Sequence, residues 1–138
     1  LIHRSMTVRV RNKQFIKLED LILSEPTPDD FQGMAVLQSS SFFEDGFRSM
    51  EESQSNNLKT YERYQRDCPA KLTHCRIIKS PENDGTVLAA CQLHLRRNKS
   101  ARNETDVYVE WIACDPAYRN HGIGTLLLAW AATFARQD

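Results

Sequence analysis

Ile112-Ala113-Cys114-Asp115-Pro116-Ala117-Tyr118-Arg119-Asn120-His121-Gly122-Ile123-Gly124-Thr125-Leu126-Leu127 is the stretch whose reading decides the fold. Its first three residues end an apolar run, Asp115-Pro116 breaks it, and two glycines open the next segment. There Ile123, Leu126, Leu127, Trp130, Ala131 and Phe134 recur at i, i+3, i+4, i+7, i+8 and i+11, which predicts an amphipathic helix from about Gly122 with one core-facing stripe. The N–H groups at a helix start have no intrahelical acceptors and lie at the positive end of the helix dipole, so such a corner binds phosphate. Glycine at 122 and 124 lets the backbone approach a diphosphate with no Cβ in the way, and Arg119 and His121 share the loop. The plainer alternative is a strand–turn–helix corner whose glycines only permit tight packing.

Working outward, three runs read as strands. In Thr105–Cys114, Val107, Val109, Trp111 and Ala113 fall on one face and Tyr108, Glu110, Ile112 and Cys114 on the other. Both faces are largely apolar, which predicts a central strand covered on both sides. In Thr86–Arg96, strict alternation puts Val87, Ala89, Cys91, Leu93 and Leu95 together. Leu72–Lys79 is the third run, and the loop from Ser80 to Gly85, with Asp84-Gly85 as turn dipeptide, makes a hairpin. Earlier still, Leu21–Ser24 reads as a strand ended by Pro26 and Pro28, with Thr27 capping a helix. Phe31, Met34, Ala35 and Gln38 carry that helix, Phe42–Gln54 reads as a loop or short helical turn, and Leu58, Tyr61, Arg63 and Tyr64 mark a second helix ending before Cys68-Pro69.

The 138 residues suit one domain. A formal net charge of zero argues against nucleic acid as a partner, and no apolar run is long enough to span a bilayer. Residues 1–20 form a basic N-terminal extension, with Arg4, Arg9, Arg11, Lys13 and Lys17 and a candidate strand at Thr7–Val10. Its start lacks a secretory h-region, so Cys68, Cys75, Cys91 and Cys114 read as reduced thiols in a cytoplasmic-type compartment. A zinc site from Cys75, Cys91, His74 and His94 needs two strands to pair, but no two of these residues have zinc-ligand spacing, so no metal is assigned.

Three phosphate-loop patterns compete for the opening stretch. A dinucleotide fingerprint lacks its third glycine here, and a Walker A loop lacks its terminal Gly-Lys-Ser/Thr. Arg119-x-x-Gly122-x-Gly124 remains, and it resembles the [QR]-x-x-G-x-[GA] motif of the GNAT superfamily of N-acetyltransferases. The order apolar strand end, Asp115-Pro116, Tyr118, Arg119 is similar too, as is the layout of strand, two helices, three-stranded meander and helix across residues 21–138. The resemblance implies a mixed α+β, mostly antiparallel sheet flanked by helices. It implies acetyl-coenzyme A as acyl donor, with the diphosphate held by loop amides of Asn120, His121, Gly122, Ile123, Gly124 and Thr125 beside Arg119. The pantetheine would pair with main-chain groups of the Ile112-Ala113-Cys114 segment, at Ile112 and Cys114, near a bulge in that strand. Direct acyl transfer to an amine needs a base, and Glu110, on the face of Ile112 and Cys114 if alternation holds, is the first candidate. His94 and Tyr108 are weaker ones, and Cys114 as acyl acceptor weaker still. A strand glutamate paired with a nearby cation is the plain alternative for Glu110. In the family the fold continues past this helix, so the domain at 21–138 is expected to be incomplete at its C-terminus, with a further strand or a second chain covering the open sheet edge. Two functions stay open: an N-acetyltransferase, and a non-catalytic acyl-coenzyme A binding module.

Overall fold

The computed structural model describes residues 7–9, 15–17, 21–42, 49–80, 85–97, 105–118 and 122–136. Two short strands, β1 (Thr7–Arg9) and β2 (Phe15–Lys17), pair antiparallel as a ribbon of their own. Among the described residues the main sheet has four strands, β3 (Leu23–Ser24), β4 (Cys75–Lys79), β5 (Val87–Arg97) and β6 (Thr105–Cys114), in that spatial order and antiparallel throughout. Between β3 and β4 run α1 (Phe31–Ser41), α2 (Met50–Asp67) and the short α3 (Ala70–Thr73); α4 (Ile123–Ala135) follows β6. The architecture is the expected mixed one, a mostly antiparallel sheet with helices on both faces.

Two apolar clusters, one per sheet face, hold the layers together. On one side Phe31, Met34, Ala35 and Leu37 of α1 and Tyr61 of α2 meet Cys75, Ile77, Val87, Ala90, Trp111 and Ala113. On the other, Ile123, Leu127 and Ala131 of α4 meet Ile78, Leu88, Ala89, Cys91 and Leu93, with Leu126, Trp130 and Phe134 packed at the margin. The stripe read from α4's sequence is the face it buries. Truncating Leu127, which is fully buried, removes contacts worth about 2–5 kcal/mol.

Where strict alternation fails, a bulge is the reason. Ile78 pairs with Ala89 but Lys79 with Val87, so Leu88 is an extra residue in β5. Val87 therefore joins the α1 cluster, while Leu88 and Ala89 both join the α4 cluster. The α1–α2 region also departs from expectation. Helix α2 begins at Met50, inside the expected loop, because Ser49 Oγ accepts the Glu52 N–H (3.1 Å) and Glu51 and Glu52 favour a helix start. Its first turns pack through polar groups: Ser53 Oγ and Asn57 Nδ2 both donate to the buried Ser39 Oγ of α1, at 3.0 and 2.8 Å. Leu72 and Thr73, expected as the start of a strand, instead end helix α3, and β4 starts only at Cys75. The Thr27 cap precedes a 3-10 turn, Pro28–Asp30, that runs into α1. The Asp30 carboxylate accepts the Thr27 N–H (2.8 Å) and hydroxyl (3.1 Å) and faces Lys79 Nζ at 3.3 Å, tying the start of α1 to β4.

Gly33 sets how closely α1 lies on the β4–β5 hairpin. A Cβ there would stand 2.8 Å from both the Gly85 carbonyl oxygen and Val87 Cγ2. Gly33→Ala gains about 1 kcal/mol of helix propensity but forces an overpacking cost of about 1–3 kcal/mol. It should lower the urea midpoint; an equal or higher midpoint would contradict this contact. Gly85, at φ 80°, carries the left-handed turn expected of Asp84-Gly85, with Asp84 itself outside the described residues.

Candidate functional site

Strand β6 is the outermost strand, and among the described residues nothing pairs with its far side. Its N-terminal half is largely exposed, with Tyr108, Val109 and Glu110 open to solvent. The expected central strand covered on both faces is therefore corrected: helices cover only its C-terminal half, where Trp111 and Ala113 are buried.

The direction of its main chain follows from one hydrogen bond. Asp115 N–H donates to the Leu88 carbonyl at 2.7 Å, and Cys114 pairs with Ala89. In an antiparallel ladder, residues alternate between turning both main-chain groups toward the partner and turning both away. Cys114 and Ile112 thus present N–H and C=O to the open edge, whereas Ala113, opposite Ala90, turns its own toward β5 and its methyl into the α1 cluster. The two residues expected to pair with an extended ligand are the two whose main-chain groups this geometry directs toward the open edge.

Past β6 the chain makes a 3-10 turn, Pro116–Tyr118, with Asp115 Oδ1 accepting the Ala117 N–H (2.9 Å) and Tyr118 buried against the α4 cluster. Arg119, Asn120 and His121 lie outside the described residues. Gly122 caps α4 in the left-handed region, φ 84°. The first described helical hydrogen bond, Leu126 N–H to the Gly122 carbonyl at 3.2 Å, leaves the N–H groups of Ile123, Gly124 and Thr125 without intrahelical acceptors. The two glycines serve different ends. Gly122 is required by its own backbone angle, whereas Gly124 has nothing within 4 Å of where a Cβ would stand. Its lack of a side chain keeps space open outside the protein rather than inside it. Ile123 is fully buried and anchors the helix start; Thr125 is exposed.

Glu110 is not where alternation would put it. Gln92 pairs with Trp111 but Leu93 with Val109, so Glu110 is the extra residue of a second bulge. The bulge reverses the alternation: Val107 packs with Ile112 and Cys114 on the α4 side, and Glu110 turns instead to the α1/α2 side, within electrostatic reach of Tyr61 and Cys75. It is exposed rather than enclosed in an apolar cleft. His94 and Tyr108 pair across the strands near it and are both exposed, with Tyr108 Oη donating to Asp106 Oδ2 at 3.4 Å. A cavity of about 460 Å³ lies elsewhere, between α1, the start of β5 and Asp115-Pro116.

Cys75 and Cys91 face opposite sides of the sheet, which separates the two thiols weighed as zinc ligands. Burial pushes the Cys75 thiol up to about 12, with Cys91 and Glu110 adding to the shift, and burial alone pushes Cys91 up to about 11. At pH 8 neither is a thiolate, so iodoacetamide should label the exposed Cys68 and spare these two until the protein unfolds. The same shifts act on stability. Both folded values exceed the ordinary 9.0, so their contribution is full below pH 9 and is lost as pH rises toward 11–12. Native-state labelling of Cys75 at pH 8 would contradict this burial.

Residues 35–138 match the sequence profile of the acetyltransferase (GNAT) family. The chain belongs to the GNAT family. The fold agrees. An acetyltransferase from Trypanosoma brucei is 18% identical and superposes with a TM-score of 0.60 over 85% of this chain and 75% of that one. A predicted acetyltransferase from Clostridium acetobutylicum, solved with acetyl-CoA, is 11% identical with a TM-score of 0.60 over 85% and 74%. Glucosamine-6-phosphate N-acetyltransferase from Arabidopsis thaliana is 10% identical with a TM-score of 0.57 over 82% and 72%. No curated protein sequence matches the chain. GNAT membership supports acetyl-coenzyme A-dependent acyl transfer as the general activity. No described helix is long and apolar enough to cross a membrane.

Proposed function

We propose that residues 21–138 bind acetyl-coenzyme A along the open edge of β6 and the start of α4, and serve transfer of its acetyl group to an amine. The observation that carries this is the outward main-chain direction at Ile112 on the open β6 edge, together with the left-handed Gly122 and the helix-start N–H groups without intrahelical acceptors beside the open space at Gly124. Pantetheine adds to the edge as an extended strand does, and the diphosphate sits on the amides from Asn120 to Thr125, with Arg119 beside it. The thioester then lies toward the bulge. Glu110 takes a proton from the attacking amine, directly or through water; the acetyl carbon bonds to nitrogen as its bond to sulfur breaks, and the thiolate leaves to be protonated. The rest of the β6 edge is the surface that a further strand or a second chain would cover, and a cytoplasmic setting suits the thiols.

Calorimetric titration with acetyl-coenzyme A, followed by thiol release over a panel of amines, tests the proposal. Failure to bind overturns it. The exposure of Glu110 favours keeping a second reading, a non-catalytic acyl-coenzyme A binding module. Binding without thiol release from any amine would select that reading.

A further inference from the structure

A glutamine in an apolar core costs stability unless its amide is hydrogen-bonded. Gln92 is 3% exposed, on the face of β5 that meets α1 and α2, and its Oε1 accepts the indole N–H of Trp111 at 2.8 Å. Trp111, itself buried, meets the ring of Phe42 edge-on at 6.4 Å. Gln92 and Trp111 are directly opposed across the strands, and theirs is the last regular pair before the ladder slips at Glu110. On the other side β5 is held by β4, with Leu93 N–H donating to the His74 carbonyl at 2.8 Å. β5 therefore cannot yield at this point, and the extra residue falls in β6.

We propose that Gln92 and Trp111 are positioning residues: their buried hydrogen bond pins the bulge at Glu110 and so turns the Glu110 carboxylate to the α1/α2 face. This rests on the reading of Glu110 as base. A one-residue slip of β6 would exchange the faces of every side chain beyond it, moving Glu110 away from the site. Gln92 touches no reacting atom and acts only through the strand it registers. Tyr61 of α2 and Cys75 of β4 lie within electrostatic reach of Glu110; both are protonated at neutral pH at their ordinary values, and burial raises them further.

The test uses Gln92→Met, Trp111→Phe and the double variant in the full-length protein. Each single change leaves a polar partner or a packing volume close to the original, while the double removes both hydrogen-bonding groups and should recover most of the lost stability. The expected result is a fall in kcat of about tenfold or more in all three, with affinity for desulfo-coenzyme A changed less than about twofold. Turnover that returns to wild type together with stability in the double variant would show a packing role only and overturn the proposal. The Glu110 carboxyl titration, followed by carbon NMR, provides a reading independent of turnover. If Glu110→Gln leaves turnover unchanged, the base assignment fails and this titration decides: a moved midpoint in the double variant supports the pin, and an unmoved one overturns it.

Discussion

Gly124→Asp is expected to weaken acetyl-coenzyme A binding by roughly 10²-fold in a protein that still folds. Residue 124 lies in the first turn of α4 with open space where a side chain would project. A Cβ there has no described atom within 4 Å, and a carboxylate in the first turn is even favourable to the helix. Any loss of affinity therefore reports on a ligand. The carboxylate would occupy the space proposed for the diphosphate and oppose its charge, which together should cost about 3 kcal/mol, or roughly 10²-fold in Kd. Gly122→Asp is the less clean probe, because a side chain at φ 84° adds backbone strain of about 1–2 kcal/mol. Calorimetry on folded Gly124→Asp with wild-type affinity would move the coenzyme off this corner.

Glu110→Gln is expected to lower turnover by about 10²-fold or more while leaving coenzyme affinity nearly unchanged. The carboxylate is the basic form, so the wild-type rate should fall as pH drops through its titration, and the acidic limb should flatten in the amide. The bulge sharpens this expectation. Glu110 and Trp111 follow one another toward the same face, and Tyr61 and Cys75 stand near the carboxylate there, so the base is approached from the α1/α2 side while the pantetheine track at Ile112 and Cys114 runs along the edge. A pH–rate profile on both proteins decides the matter. Equal rates with an unshifted acidic limb would assign the base elsewhere, with His94 and Tyr108 the nearest candidates to test.

Several elements could be read from the chain because each depends on local chemistry. The extent of β6 over Thr105–Cys114 and the stripe from Ile123 to Phe134 are as expected, since the presence of a strand and a helix's 3.6-fold repeat are written in consecutive residues. The start of α2 was legible too, through the Ser49-Met50-Glu51-Glu52 capping pattern, but apolar spacing misses it because Ser39, Ser53 and Asn57 join the helices through hydroxyl and amide groups. The switch from helix α3 to strand β4 at His74 carries little periodic signal over so few residues.

By itself the sequence determined the family, through Arg119-x-x-Gly122-x-Gly124 set between a strand end and an amphipathic helix, and with it the place proposed for a diphosphate. The face on which Glu110 stands was decided only by the tertiary structure. A bulge is a property of two strands: Glu110 becomes the extra residue because Gln92 meets Trp111 on one side of it and Leu93 meets Val109 on the other. No spacing within Thr105–Cys114 contains that information. The same holds for Ile112 and Cys114, whose main-chain groups point outward because the Asp115 N–H is taken by Leu88, 27 residues earlier in the chain.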